Sequence, residues 1–248
     1  MDDFKLSVMT PKGKLYLIPA PLGIGAEHAL PQYAIDILHR LDYFIAERAR
    51  TARRFIKRTG PVKPIDALTF FELNKRTPPA TVNTFLDPVE AGHDLGLLSE
   101  AGAPAVADPG ARIVEIAHRR AIEVVPLVGP SSLLLALMAS GMSGQQFCFH
   151  GYLPPQKDRL GKTLKKLERN SERFQQTQLF IETPYRNNGL VETAIATLAP
   201  ETRFCIAADL TLPAQYIRTL PVREWKKTEV PELHKRPAVF LLYAGRKK

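Results

Sequence analysis

Four carboxylates stand where chemistry is usually placed in an α/β chain. Glu47 follows YFIA, Glu100 and Asp108 lie in SEAGAPAVADPG, and Glu182 sits in FIETPYR. Each comes at or just beyond the carboxyl end of an apolar run of strand length. There a carboxylate can take a proton from an acceptor, or it can orient its loop by hydrogen bonds. Arg186, in the TPYR turn, can grip a phosphate bidentately or cap local carbonyls. Between Arg48 and Lys63 seven basic residues occur without an acid. Arg50, Arg53, Arg54 and Lys57 share one helical face, with Ala49, Ala52 and Ile56 on another. Both a solvated surface and a phosphate contact fit such a helix, and the same two readings apply to Lys157–Arg173 and Arg218–Lys248.

Three loops carry small residues and proline in place of reactive side chains: PAPLGIGA (19–26), SEAGAPAVADPG (99–110) and VGPSS (128–132). Small residues let a backbone approach a ligand, and proline fixes that backbone in advance, so the loops suit main-chain contacts with a bound molecule. Helix capping is the competing role for Asp108-Pro109 and Gly129-Pro130-Ser131. No GxxxxGK[ST] is present, which disfavours a P-loop nucleotide hydrolase. Gly23 and Gly25 form a GxG, but His28 stands where a dinucleotide fingerprint needs its third glycine; Glu47, about 20 residues on, keeps that reading open. HExxH and GxSxG are absent. His150, within FCFHGYL, reads as a strand-end residue. Cys148 and Cys205 lie in apolar runs without ligand spacing, so no metal is expected.

The elements that must hold these residues alternate short apolar runs with amphipathic stretches. LYLI (15–18), a helical pattern over 29–41, YFIA (43–46), the basic helix, TFFEL (69–73), DLGLLS (94–99) and VVPLV (124–128) follow one another, with helices expected after Pro79, Pro109 and Pro130. That rhythm predicts a mostly parallel sheet with crossover helices. The glycines of SGMSGQQ (140–146) suggest a boundary, giving domains 1–143 and 144–248. The second domain reads as strand 147–153, basic helix, strand LFIET, helix 186–199, strand RFCIAADL, a strand near YIRTL and a final AVFLLYAG, a mixed sheet.

At 248 residues, 45% hydrophobic and 24% charged, the chain can bury cores and is not disordered overall. No run approaches a membrane span, and the start MDDFKLSVMTPKGK lacks the apolar core of a signal peptide, so a soluble cytoplasmic protein is expected. The net charge of +9 favours polyanionic partners. Residues 1–124 hold 16 basic and 15 acidic side chains and the remainder 18 and 10, so nearly all the surplus lies in the second half.

In their order, LYLIPAPLG, LSEAGAPAVADPG, VVPLVGPSS and FIETPYR resemble the tetrapyrrole methylase superfamily of S-adenosylmethionine-dependent methyltransferases, and within it the ribosomal RNA small-subunit methyltransferase I family. The resemblance runs from about Lys14 to Gly245. It implies a two-domain α/β fold with a cofactor cleft between the domains, and a homodimer. Carried over by position, it implies S-adenosylmethionine contacts at Leu22, Gly23, Ala101, Gly102, Ala103, Val106, Ser131 and Ser132, with Thr183, Leu210, Pro237 and Ala238 from the second domain. It further implies an RNA partner, the small ribosomal subunit, with a ribose 2′-hydroxyl as acceptor. Methyl transfer from a sulfonium is an in-line displacement without a covalent enzyme intermediate. Glu47, Glu100, Asp108 and Glu182 are the candidates for handling the hydroxyl proton, and Arg50, Arg53, Arg54, Lys57 and Arg186 for holding phosphates. The chain departs from the family pattern at Gly23-Ile24-Gly25-Ala26, Arg48-Ala49, Glu100, Ala103 and Ala208-Asp209. A small acceptor such as a tetrapyrrole, or an RNA-binding relative without catalysis, stays open beside the leading reading.

Overall fold

The computed structural model describes residues 11–245; the opening MDDFKLSVMT and the closing RKK, including the end of the basic run to Lys248, lie outside the described residues. Two compact units form, one running up to Pro130 and the other from Ser131.

The first unit runs β1 (Lys14–Ile18), α1 (Gln32–Arg40), β2 (Tyr43–Ala46), α2 (Ala49–Arg58), β3 (Thr69–Glu72), α3 (Pro79–Thr84), α4 (Asp87–Glu90), β4 (Leu95–Leu98), α5 (Ala111–Arg119) and β5 (Glu123–Pro126). Its five strands are all parallel in the order β3-β2-β4-β1-β5. A parallel sheet with crossover helices is buried on both faces, and β4 reads accordingly as LGLL, covered throughout. On one face Ile37 and Leu38 of α1 and Ala52, Phe55 and Ile56 of α2 pack on Ile18 and Phe44. On the other, Val82, Val89, Ile113 and Ile116 from α3, α4 and α5 pack on Leu15, Ile45 and Leu97. Each fully buried side chain of this size contributes about 1.5–3 kcal/mol. The connections after β1 and β2 thus lead to one face and those after β3 and β4 to the other. The strand order therefore reverses its sense around β4, and the carboxyl ends there open into a crevice.

The second unit runs α6 (Ser132–Ser140), β6 (Phe147–Tyr152), α7 (Lys157–Phe174), β7 (Thr177–Ile181), α8 (Asn187–Thr197), β8 (Arg203–Ala208), β9 (Tyr216–Pro221), α9 (Val222–Trp225) and β10 (Ala238–Tyr243). The sheet order is β6-β7-β10-β8-β9; β6 and β7 are parallel and the other pairings antiparallel. Phe180, Phe240 and Phe204 stack across β7, β10 and β8 with centroids 6.1 Å apart at each step. The indole of Trp225 donates to the Phe204 carbonyl at 2.8 Å. Leu160, Leu164 and Leu167 of α7 and Leu190 and Val191 of α8 close this core.

The division at Pro130 corrects the boundary expected at 143/144. The helix α6 packs on β8, β9 and β10, and the Thr219 hydroxyl donates to its Ser140 carbonyl at 2.9 Å. The glycines taken as a linker instead terminate α6: Gly141 has φ +66°, the left-handed conformation that closes a helix. Cys148 and Cys205 are free, and burial pushes the Cys205 thiol up to about 11. The His150 ring lies 2.7 Å from Gln178 Oε1, a partner on the adjacent strand. No helix among the described residues is long and apolar enough to cross a membrane, and no cluster of side chains there could hold a metal ion.

Candidate active site

The three small-residue loops all leave the carboxyl edge of the parallel sheet, after β1, β4 and β5, and they interlock. Ala20 and Gly102 exchange two main-chain hydrogen bonds, each 2.9 Å, joining the first loop to the second. Gly102 has φ +74°, and a Cβ on it would lie 3.2 Å from the Leu22 side chain and 3.5 Å from the Pro130 carbonyl, so all three loops converge on this residue. Gly129 lies against the Pro19 ring, where a Cβ would come within 2.2 Å of Cγ. The Ser99 hydroxyl donates to the Gly102 carbonyl at 2.7 Å. Ala105 and Ala107 adopt left-handed conformations, with φ of 65° and 62°. Such strain persists only where the surroundings over-determine the backbone.

The interlocked rim retains unused donors. Among the described residues, the main-chain N–H groups of Leu22, Gly23, Ala101, Ala103 and Val106 donate to nothing within the chain. Val106 is 48% exposed, an apolar side chain beside those donors. A rim that offers N–H groups and methyls suits a ligand with a heterocycle and an apolar body.

Three of the four candidate carboxylates gather at this edge. A small pocket opens between Glu47 at the end of β2, Ser99 at the end of β4 and Asp108. Both Asp108 oxygens are engaged: Ala105 N–H donates to each at 3.0 Å, and Gly110 N–H donates to Oδ1 at 2.7 Å. Asp108 thus shapes the loop ahead of α5 without capping the helix, which takes no side-chain cap hydrogen bond. Burial raises its pKa against these backbone hydrogen bonds, and the charge of Glu47 adds to the rise. Glu100 is also held above the ordinary carboxylate range, first by desolvation; the Thr51 hydroxyl hydrogen-bonds to it and works the other way, while the Glu47 charge reinforces the shift. Thr51, in the first turn of α2, is a residue that sequence reasoning missed.

In the second unit, Glu182, Thr183, Leu210, Pro237 and Ala238 come together at one sheet edge, where β7 and β8 end and β10 begins. Glu182 is buried and paired: Arg186 reaches its Oε1 with Nε at 3.0 Å and Nη2 at 2.5 Å, and Thr183 N–H donates to the same oxygen. Its carboxylate therefore orients Arg186 and the TPYR turn. Asp209, with φ +49°, binds Arg236 at 2.6 Å, and Arg236 also donates to the carbonyls of Ala214 and Glu232. This clamp, unforeseen in the sequence, fixes the segments bearing Leu210 and Pro237. Ser131 and Ser132 open α6, and the Ser131 hydroxyl makes no capping hydrogen bond.

The basic residues of α2 form an exposed face as expected. Arg50, Arg53, Arg54 and Lys57 are exposed, and none has an ion-pair partner among the described residues. The Arg53 guanidinium lies 5.0 Å above the Phe70 ring. Arg58, off this face, is bonded to Glu27.

Residues 14–226 match the family Tetrapyrrole (Corrin/Porphyrin) Methylases. The chain is 29% identical over 239 residues to the Ribosomal RNA small subunit methyltransferase I of Escherichia coli O157:H7, covering 95% of this chain and 79% of that one. It is 30% identical to the protein of the same name in Haemophilus influenzae, with 86% and 72% covered. Among solved structures, the methyltransferase CobJ superposes with a TM-score of 0.61 at 19% identity, covering 93% and 94% of the two chains, which shows a shared fold. The interlocked loops, the two sheets and the residues that match along nearly the whole chain make it a member of the tetrapyrrole methylase family.

Proposed function

We propose that the protein is an S-adenosylmethionine-dependent methyltransferase that modifies a ribose 2′-hydroxyl of ribosomal RNA. The observation that carries this reading is the similarity along 95% of the chain to a relative named for ribosomal RNA methylation. The solved methyltransferase CobJ matches at 19% identity, a likeness of fold alone.

The rim fits the cofactor. Its unused N–H donors at Leu22, Gly23, Ala101, Ala103 and Val106 suit the acceptor atoms of an adenine and a methionyl group, and Gly102 leaves the backbone open to close approach. Ser131, Ser132, Thr183, Leu210, Pro237 and Ala238 are the second unit's candidate contacts. Bound S-adenosylmethionine supplies the activated methyl group, so the protein's work is orientation and proton handling. Asp108 and Glu182 are committed to backbone and to Arg186, which leaves Glu47 and Glu100 to take the hydroxyl proton. Glu100, its proton affinity raised by desolvation, is the base in this reading. Arg50, Arg53, Arg54, Lys57 and Arg186 hold phosphates.

The protein acts in the cytoplasm as a homodimer in this reading. Leu134 and Met138, exposed one turn apart on α6, support a partner surface, and light scattering of purified protein tests it. The decisive experiment is calorimetric titration with S-adenosylmethionine and its demethylated product, followed by transfer of labelled methyl to purified small ribosomal subunits. Saturable micromolar binding with label in the RNA is expected. Binding without transfer to any ribosomal RNA overturns the substrate; absence of binding by folded, cofactor-free protein overturns the enzyme.

A further inference from the structure

We propose that α7 is a second phosphate-gripping surface whose occupant is the backbone of structured RNA; this rests on the RNA-substrate reading. The helix buries Leu160, Leu164, Leu167 and Ser171 in the core of the second unit. Directly opposite, Arg159, Lys162, Lys166, Arg169 and Arg173 are exposed at successive steps of three and four residues, one line along the helix axis. At 1.5 Å per residue the line spans ~21 Å, over which a nucleic acid duplex presents about a dozen phosphates.

Part of the protein's positive charge is neutralised by ion pairs. Lys14, Lys63, Arg119, Arg120 and Arg223 each have a carboxylate partner on the surface. None of the five on α7 has one among the described residues. Among the acids of α7, Glu168 is turned inward. It accepts Ala199 N–H at 2.7 Å and the Thr202 hydroxyl at 2.6 Å, and it binds Lys165, which stands off the line. Asp158 and Glu172 flank one side of the line, while Thr163 and Asn170 flank the other with uncharged hydrogen-bonding groups. Successive like charges three and four residues apart repel along the whole helix, and a polyanion turns that repulsion into attraction. At the carboxyl end, Arg173 lies 5.1 Å from the ring of Phe174, which is 49% exposed and offers a face for base stacking. A lipid surface would require an apolar face free to insert, and the apolar face of α7 is already buried.

The test compares full-length protein with the double variant Lys166→Gln/Arg169→Gln and with a control, Lys75→Gln/Arg76→Gln, which removes the same charge from exposed positions elsewhere. Affinity for purified small ribosomal subunits, and for an RNA hairpin whose stem exceeds the length of α7, is measured over a salt series. Loss of two phosphate contacts is expected to weaken binding roughly tenfold or more and to flatten the log–log salt slope by about 1.4–1.8, with S-adenosylmethionine binding and helix content unchanged. The control is expected to match the parent protein. Equal affinity and slope in parent and α7 variant overturn the α7 surface while leaving the RNA reading intact. An equal loss in the control also overturns it, since net charge alone then explains the effect. Absence of RNA binding by the parent at low salt overturns the RNA reading itself.

Discussion

At the scale of single residues, the four carboxylates divide by what already holds them. Glu182 is spent on Arg186, and Asp108 on Ala105 and Gly110. Glu100 is expected to act as the base, so Glu100→Gln lowers kcat by about 10²–10⁴ while calorimetric S-adenosylmethionine affinity is retained. A base works ionised, and desolvation lifts this one; the acid limb of the parent's pH–rate profile therefore lies above the ordinary glutamate range. Asp108 has a different signature. Asp108→Ala strands two N–H donors and costs about 2 kcal/mol in a denaturant melt, whereas the Asp108→Asn oxygen still accepts from both and costs much less. Because burial raises the folded-state pKa of Asp108, the native state holds that proton more tightly than the unfolded chain does. Its contribution to stability thus falls as pH rises from the unfolded to the folded value, and Asp108→Asn removes that slope. Retained methyl transfer in Asp108→Asn marks the residue as a loop-former; a loss as deep as that of Glu100→Gln would make it catalytic.

At the scale of elements, the strands and helices were largely legible because parallel strands buried on both faces must be short continuous apolar runs, and YFIA emerges as β2 with the bounds read from its sequence. The domain boundary was not legible. The segment SLLLALMAS of α6 is apolar nearly all round, so its periodicity does not say which sheet it faces, and Gly141 reads equally as linker or helix terminator. The loops were legible as loops, but their interlocking was not, since Ala20 pairs with Gly102 across more than eighty residues. The Asp209–Arg236 clamp was hidden for the same reason: no local pattern joins a strand end to a turn 27 residues later. The interlock itself is testable. In Gly129→Ala the new methyl meets the rigid ring of Pro19 rather than the end of a flexible side chain, so the first and third loops must separate. A loss of about 1–3 kcal/mol in thermal or denaturant unfolding is expected, with weaker cofactor binding. Full stability with unchanged cofactor affinity would show that the rim tolerates displacement and that its tight packing does not serve the ligand.

At the scale of the whole molecule, the charge of +9 is organised into lines. The half of the chain with balanced charge nevertheless carries the exposed face of Arg50, Arg53, Arg54 and Lys57, because its acids are placed elsewhere and the nearby Glu27 is taken by Arg58. Composition averaged over that half conceals the face; helical spacing reveals it. The excess of the second half is carried in part by the five cations of α7, again without partners among the described residues. If both lines meet phosphates at once, nine contacts at ~0.7–0.9 each give a log–log salt slope of about −6 to −8 for binding to small ribosomal subunits. If α2 alone engages, its four contacts give about −3 to −4. The variants separate the two terms. Arg53→Gln/Lys57→Gln and Lys166→Gln/Arg169→Gln are each expected to reduce the parent slope by a similar step, and the quadruple variant by their sum. A quadruple variant no flatter than either double variant would show that the two helices do not hold RNA simultaneously, and would assign the parent's affinity to one line of charge alone.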